Sequence, residues 1–452
     1  MLAAALRLLL PLLILTGFFM LSDGVKRSDT VVLLSLYSGI FVLLWFWIRN
    51  FNSLAGILLI GILARLCFSF HLPELSQDFY RFLWDGHVQQ LGINPYLYTP
   101  NKLIDLVGFP DARLLVEKMG TLSAGNFSNY PPASQQLFKL AALFHQDQLM
   151  DPIVLIRFIY LIADLLIVFV GISLLKQLKL DPAYIAWYFL NPLLIIEGIG
   201  NLHGEGLMVC FTLISLVYLV QRRSLFGGLF MGIAIAIKLL PLLFIPLFYK
   251  YLGWKKFSLF CLSTALCSAC FWLPYWEGSM PSRYAETVDL WFTTFEFNGS
   301  LYNIVRALGY QLKGYNIIRQ LGEITPFVVA GFVLVFSFLR SNRTPASLLK
   351  SMLFLLSCYF FIATTVHPWY IINLVFLGIL TGYAYPLVWS LTVFWSYNAY
   401  GAEGFAENPY LQFVAYLVVY GTFIWELVKE PLGEHFQKPN FFSTEFSPIS
   451  SR

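Results

Sequence analysis

Apolar runs of roughly 17 to 25 residues, each long enough to cross a ~30 Å hydrocarbon layer, recur along this chain between short polar breaks. Leu2–Leu21, Val31–Ile48 and Leu54–Phe70 predict three membrane helices, the first retained because no small-x-small cleavage site follows it. From His71 to Pro152 the pattern changes. Asn129-Tyr130-Pro131-Pro132 interrupts a polar stretch, and Ala133–His145 predicts a helix lying at the membrane surface. Spans resume at Ile153–Leu175, Ala183–Ile199 and Leu207–Val220. Lys238, Pro241 and Pro246 break Leu225–Tyr249, which predicts two short helices turning near Lys238. Phe257–Pro274 precedes a loop from Tyr275 to about Glu323. Five further spans follow at Thr325–Leu339, Ser351–Thr365, Ile371–Leu380, Pro386–Tyr397 and Leu411–Val428.

This pattern predicts an all-α, polytopic transmembrane bundle of about 14 helices, with a large outer loop bearing interfacial helices. Its parts are N-terminal transmembrane helices (residues 1–72), an extracytoplasmic catalytic loop (73–152), the main bundle (153–428) and a cytoplasmic tail (429–452). Charge supports the same orientation. Lys176/Lys179, Arg222/Arg223, Lys250/Lys255/Lys256 and Arg340/Arg343/Lys350 fall on one side, as expected of cytoplasmic connections, and the polar motifs fall on the other.

The composition agrees with lipid as the main solvent: 58% of the 452 residues are hydrophobic and 12% charged, against about 25% charged in soluble domains. A net charge of +4 carries no signal for nucleic acid. The six cysteines all lie in apolar segments without metal-ligand spacing and read as small core residues.

Chemistry gathers in Ser76–Pro100, SQDFYRFLWDGHVQQLGINPYLYTP. Asp78 and Asp85 are close to two helical turns apart and can share a face. Either carboxylate can serve as general base on a hydroxyl, or as a solvated acid or helix cap. Arg81 can pair with either one or hold a phosphate. Asn201, His203 and Glu205 lie in a tight connection that suits substrate hydroxyls, a metal, or simply a turn. Lys238 stands in apolar sequence, where an ammonium needs a reason: a lipid-linked phosphate, or an intramembrane acid such as Asp164 or Glu197. Arg157 can snorkel or bind phosphate. His367 and Trp369, in His-Pro-Trp-Tyr, open a helix at the interface, where an aromatic belt is the plainer reading.

Taken in order, several pieces resemble the GT-C superfamily of polytopic glycosyltransferases, in particular its polyprenol-phosphate-mannose-dependent branch. They are Asp78-Phe-Tyr-Arg-Phe-Leu-Trp-Asp85-Gly86, Gly92-Ile-Asn94-Pro95-Tyr96, Tyr130-Pro131-Pro132, Asn191-Pro192, Asn201-Leu-His203-Gly-Glu205, Lys238-Leu-Leu-Pro241 and His367-Pro368-Trp369-Tyr370. The resemblance implies an inverting enzyme of a bacterial inner membrane with its site on the extracytoplasmic side. It would move one hexose, mannose, from a polyprenyl-phosphate donor to a glycan or glycolipid acceptor. It places Asp78 as the best base, and Asp85 remains the second catalytic candidate from its spacing. Lys238 and Arg157 would hold the donor phosphate. Tyr80, Trp84 and Trp369 would stack on sugars, with Arg81, Asn201, His203, Glu205 and His367 also binding substrate. Many relatives carry a second acid just before the base, where this chain has Gln77, so the resemblance requires no metal and leaves a divalent ion open. The competing readings are a lipid-linked sugar transporter or flippase, an oligosaccharide-ligase-like enzyme, and a non-catalytic scaffold.

Overall fold

The computed structural model describes residues 2–50, 53–145, 148–401 and 404–429. Its regular structure is helical except for one hairpin, in which Tyr400–Gly401 pairs antiparallel with Gly404–Phe405. Beyond Lys429 the expected tail lies outside the described residues.

Six described helices are long and apolar enough to cross a bilayer: Thr30–Asn50, Met150–Gln177, Trp254–Tyr275, Ile318–Leu339, Pro345–Ile362 and Pro409–Lys429. A seventh crossing results if Pro182–Phe189 and Leu194–Gly200 count as one span bent by 58°. Other apolar helices, such as Leu54–Leu66 and Glu205–Val220, are shorter, so helix length does not reach the expected fourteen crossings. Many outward side chains are large and apolar, Leu262, Leu266, Phe327 and Leu339 among them, as lipid contact requires.

Two segments depart from their expected form. The expected single helix Ala183–Ile199 is broken at Asn191-Pro192, because proline has no N–H to continue the ladder. Asn191 secures the break by accepting from the Leu193 amide at 2.9 Å and donating to Ser390 Oγ at 2.9 Å. The expected loop Tyr275–Glu323 instead contains helices Met280–Thr293 and Leu301–Lys313. Their charged residues recur too often for a span, yet Leu301, Ile304, Val305, Leu308 and Leu312 keep helical spacing along one exposed apolar face.

The turn at Lys238 is observed. Helix Ser224–Ile237 ends where Lys238 adopts an extended backbone (φ −148°, ψ 141°), and a 3₁₀ segment, Leu240–Leu247, leads into Phe248–Leu252. Arg222 donates to the Tyr251 carbonyl and stacks 4.2 Å above its ring, so both legs of the hairpin begin and end together. Lys238 is its tip. Lys250 donates to the carbonyls of Phe338 (2.6 Å) and Arg340 (3.1 Å), bringing three of the basic connections to one end of the bundle.

At the other end, helix Asp78–Gln90 packs on Pro132–Ala142, near the surface helix expected at Ala133–His145. A Cβ at Gly86 would lie 2.2 Å from the Phe138 carbonyl oxygen, so the glycine permits backbone to meet backbone.

Candidate active site

A cavity of about 870 Å³ opens between these helices and the hairpin tip. Its walls come from distant parts of the chain: Arg27, Asp78, Tyr130, His203, Lys238, Trp291, Trp369 and Tyr400 all line it. The lining is thus not confined to residues 73–152.

Asp78 occupies the first turn of its helix, where its amide donates to Ser76 Oγ at 3.2 Å and the helix dipole favours a carboxylate. Its side chain is half-buried because it faces the cavity. Burial pushes the Asp78 carboxyl above its ordinary range. Lys238, a hydrogen bond from Tyr130 and Arg27 oppose that rise, in decreasing order.

Of the other expected residues, Arg81, His203, Glu205, Lys238, His367 and Trp369 also line the cavity. Lys238 pairs with Glu205, not with either acid anticipated from the sequence. Asp164 is instead held by Arg65 at 2.8 Å, and Glu197 accepts from Tyr397 (2.8 Å) and Asn201 (3.1 Å). His203, Trp369 and His367 form one column, with ring centres 3.6 and 4.3 Å apart, and Phe297 extends it at 5.0 Å from His367.

Tyr80, Trp84, Asp85, Asn201 and Arg157 do not line the cavity. Asp85 is fully buried and its oxygens are engaged. It accepts from Arg81 Nε at 2.7 Å, Ser128 Oγ at 2.6 Å and Gln135 Nε2 at 2.8 Å, so it anchors Arg81 rather than meeting a substrate. Trp84 is buried against Phe109, and Tyr80 packs on Phe79. Asn201 accepts from the Leu75 amide at 3.3 Å, tying two connections together. Arg157 spends its guanidinium on backbone carbonyls of Ile199 (2.9 Å), His71 (2.7 Å), Ser69 (3.3 Å) and Gly200 (2.8 Å). It is a buried clamp on the broken helix, with no face for a phosphate.

The sequence reading missed the wall formed by Tyr284, Thr287, Trp291, Phe295 and Phe297. The 3.6-residue spacing within Met280–Thr293 carried that signal. Arg27 was missed as well. Four buried polar atoms of lining residues have no hydrogen-bond partner among the described residues: Arg81 Nη2, His203 Nε2, Glu205 Oε2 and Trp291 Nε1. Buried polar groups ordinarily find partners, and His203 Nε2 has the Glu197 carboxylate 3.6 Å away. Among the described residues no three His, Cys, Asp or Glu side chains gather as a closed protein metal site would need.

Comparison with known proteins identifies a family. Residues 4–252 match the family described as alpha-(1->6)-mannopyranosyltransferase, N-terminal domain. Alpha-(1->6)-mannopyranosyltransferase A of Mycobacterium tuberculosis is 27% identical over 168 residues, 37% of this chain and 31% of the relative. The protein of the same name from Corynebacterium glutamicum is 22% identical over 190 residues, 42% of this chain and 37% of the relative. The chain therefore spans about a third of the length of the curated relatives it matches. No solved structure matches it.

Proposed function

Because the chain belongs to the alpha-(1->6)-mannopyranosyltransferase family, a GT-C mannosyltransferase branch, we propose that it transfers a single mannose from a polyprenyl-phosphate donor to an acceptor hydroxyl, with inversion. One observation carries this reading. Three carboxylates line the cavity; Glu205 is paired with Lys238 and Glu296 with Arg306, and of the three Asp78 alone has no ion-pair partner among the described residues. An unpaired carboxylate on a cavity wall, its proton affinity raised by burial, is suited to general-base work.

In this mechanism the acceptor hydroxyl gives its proton to Asp78 as its oxygen forms a bond to the anomeric carbon. The bond from that carbon to the phosphate oxygen breaks, and the electron pair leaves with the lipid phosphate. The leaving phosphate gains negative charge, which the Lys238 ammonium stabilises in a dry cavity. Arg81, Trp291, His203 and Glu205, which line the cavity, orient sugar hydroxyls. Trp369 and the rings stacked on it form a flat wall for a sugar face. Asp85 positions Arg81. The active site belongs to the extracytoplasmic face of a bacterial cytoplasmic membrane, opposite the basic connections, and residues 73–152 supply the base and its supporting helices.

The test is transfer from radiolabelled polyprenyl-phosphate mannose in membranes carrying wild type or Asp78→Asn. General-base contributions run to about 10²–10⁴-fold, so the amide should lose at least about 100-fold. Retained transfer by Asp78→Asn would displace the base. A wild-type protein that uses only a nucleotide sugar would overturn the donor class.

A further inference from the structure

The cations of the cavity are as informative as its acids. Three line it: Arg27, Arg81 and Lys238. Arg81 is neutralised by Asp85 and Lys238 by Glu205, but Arg27 has no carboxylate within ion-pair distance among the described residues. It sits in the short connection between helices Leu2–Ser22 and Thr30–Asn50. Its hydrogen bond to the Leu75 carbonyl is long, 3.4 Å. Its guanidinium lies 3.8 Å over the ring of Tyr400, in the small hairpin near the far end of the chain. Stacking fixes the plane of a guanidinium while leaving its edge free to donate. The side chain is half-buried, and Leu75, Ser76 and Asp78 line the cavity next to it.

An aqueous surface would let such a charge be solvated, and a topology signal would place it on the cytoplasmic side with the other basic connections. Arg27 is at the opposite end, on the cavity wall that carries Asp78. Its charge is therefore available to whatever enters. A planar, fixed, unneutralised guanidinium recognises a phosphate with two parallel hydrogen bonds better than a neutral sugar hydroxyl.

Building on the reading above, we propose that Arg27, stacked on Tyr400, is the anion clamp of this cavity and binds the phosphate of the donor and of the leaving lipid phosphate. The two cations then divide the work. Lys238, tethered to Glu205, offers a charge already partly compensated. Arg27 supplies the uncompensated one and favours the doubly charged product phosphate over the singly charged donor diester, which lowers the barrier to departure.

The experiment uses the full chain in lipid nanodiscs and measures its affinity for four probes: a polyprenyl monophosphate, the matching prenol, inorganic phosphate and GDP-mannose. Wild type should bind the lipid phosphate in preference to the prenol. Arg27→Gln should weaken lipid-phosphate binding at least about tenfold, the loss expected of one charge-assisted hydrogen bond, and leave prenol binding unchanged. Donor KM should rise by a smaller factor and kcat should fall, because the clamp holds the product dianion more tightly than the donor diester. Equal lipid-phosphate affinity in Arg27→Gln and wild type would overturn the proposal. If Arg27→Gln fails to fold, Tyr400→Leu, which keeps the charge but frees the plane, decides. A smaller, phosphate-specific loss supports the clamp, and no loss overturns it. Wild-type binding of inorganic phosphate or GDP-mannose but not the lipid phosphate, again lost in Arg27→Gln, would keep the clamp and sink the lipid donor, separating the two ideas.

Discussion

At the scale of single residues, the base and the clamp on the broken helix behave oppositely. As the proposed base, Asp78 would act only when ionised; burial raises the pH at which it ionises, while Lys238 gives the largest opposing pull. Removing that pull raises the Asp78 pKa further, so the acid limb of the pH–rate profile in Lys238→Met should move to higher pH. Profiles of kcat/KM for both proteins check this, and an unmoved limb would mean that Asp78 is not the titrating group. Arg157 makes no such contribution. Arg157→Met leaves several buried carbonyls unpaired, at about 1–3 kcal/mol each, so it should lower the melting temperature sharply without raising donor KM in the protein that remains folded. The contrast also marks what could be read from sequence. Asp78, Glu205, Lys238, His367 and Trp369 stood out as polar or aromatic groups in an apolar chain, and they line the cavity. Arg157 stood out equally but is consumed by carbonyls that only the fold brings near. Arg27 looked like any loop cation until Tyr400 closed over it.

At the scale of elements, the contact between helices Asp78–Gln90 and Pro132–Ala142 holds the proposed base in place. Gly86→Ala would drive a methyl group into the Phe138 backbone, and overpacking of this kind costs about 1–3 kcal/mol. Thermal melts should show that loss, with transfer falling in step with the displaced helix. The same helix carries a buried pair away from the cavity. His87 Nε2 lies 2.7 Å from His145 Nδ1, and His145 Nε2 lies 3.3 Å from the Asp111 carboxylate. Burial, then His145, push the His87 pKa down to about 4, with Asp111 opposing. The unfolded chain takes up this proton near pH 6.5, and the folded one does so only near 4. Stability from this group is therefore complete above about pH 6.5 and is lost as pH falls toward 4. Melting temperature should drop between pH 7 and 5 more steeply in wild type than in His87→Leu. The element pattern itself was legible wherever apolar runs were long. It misled at Asn191-Pro192, where an apolar run hides a break, and over Met280–Thr293, where charge hides a helix.

At the scale of the whole molecule, the spans share one polarity. Tyr160 lines the cavity, and Lys176 lies sixteen residues further along the same helix, about 24 Å away at 1.5 Å per residue. In Pro345–Ile362 the cavity-lining Tyr359 follows Lys350 by nine residues, about 13.5 Å along the axis, in the same sense. If the basic end is cytoplasmic, a cysteine at Lys255 should react with an impermeant maleimide only from the cytoplasmic side, and one at Leu106 only from the outside. Labelling of both from one side would overturn the orientation. The separation of ends was legible from charge, whereas the number of full crossings was not, because helices buried by their neighbours need not span. The pairing of charges also has a consequence for how the protein is made. Arg65 with Asp164, Arg81 with Asp85 and Lys238 with Glu205 all lie within the first 238 residues. A chain emerging from the ribosome in that order can neutralise each of these charges before its later helices exist, and a lone charge in lipid costs some 2.5–3.5 kcal/mol at insertion. Arg27 differs from these three, because its partner Tyr400 is made more than 370 residues after it. Biogenesis would then form these three ion pairs early and complete the proposed anion clamp later, so that a protein stalled between the two stages would hold its early helices together yet lack the clamp.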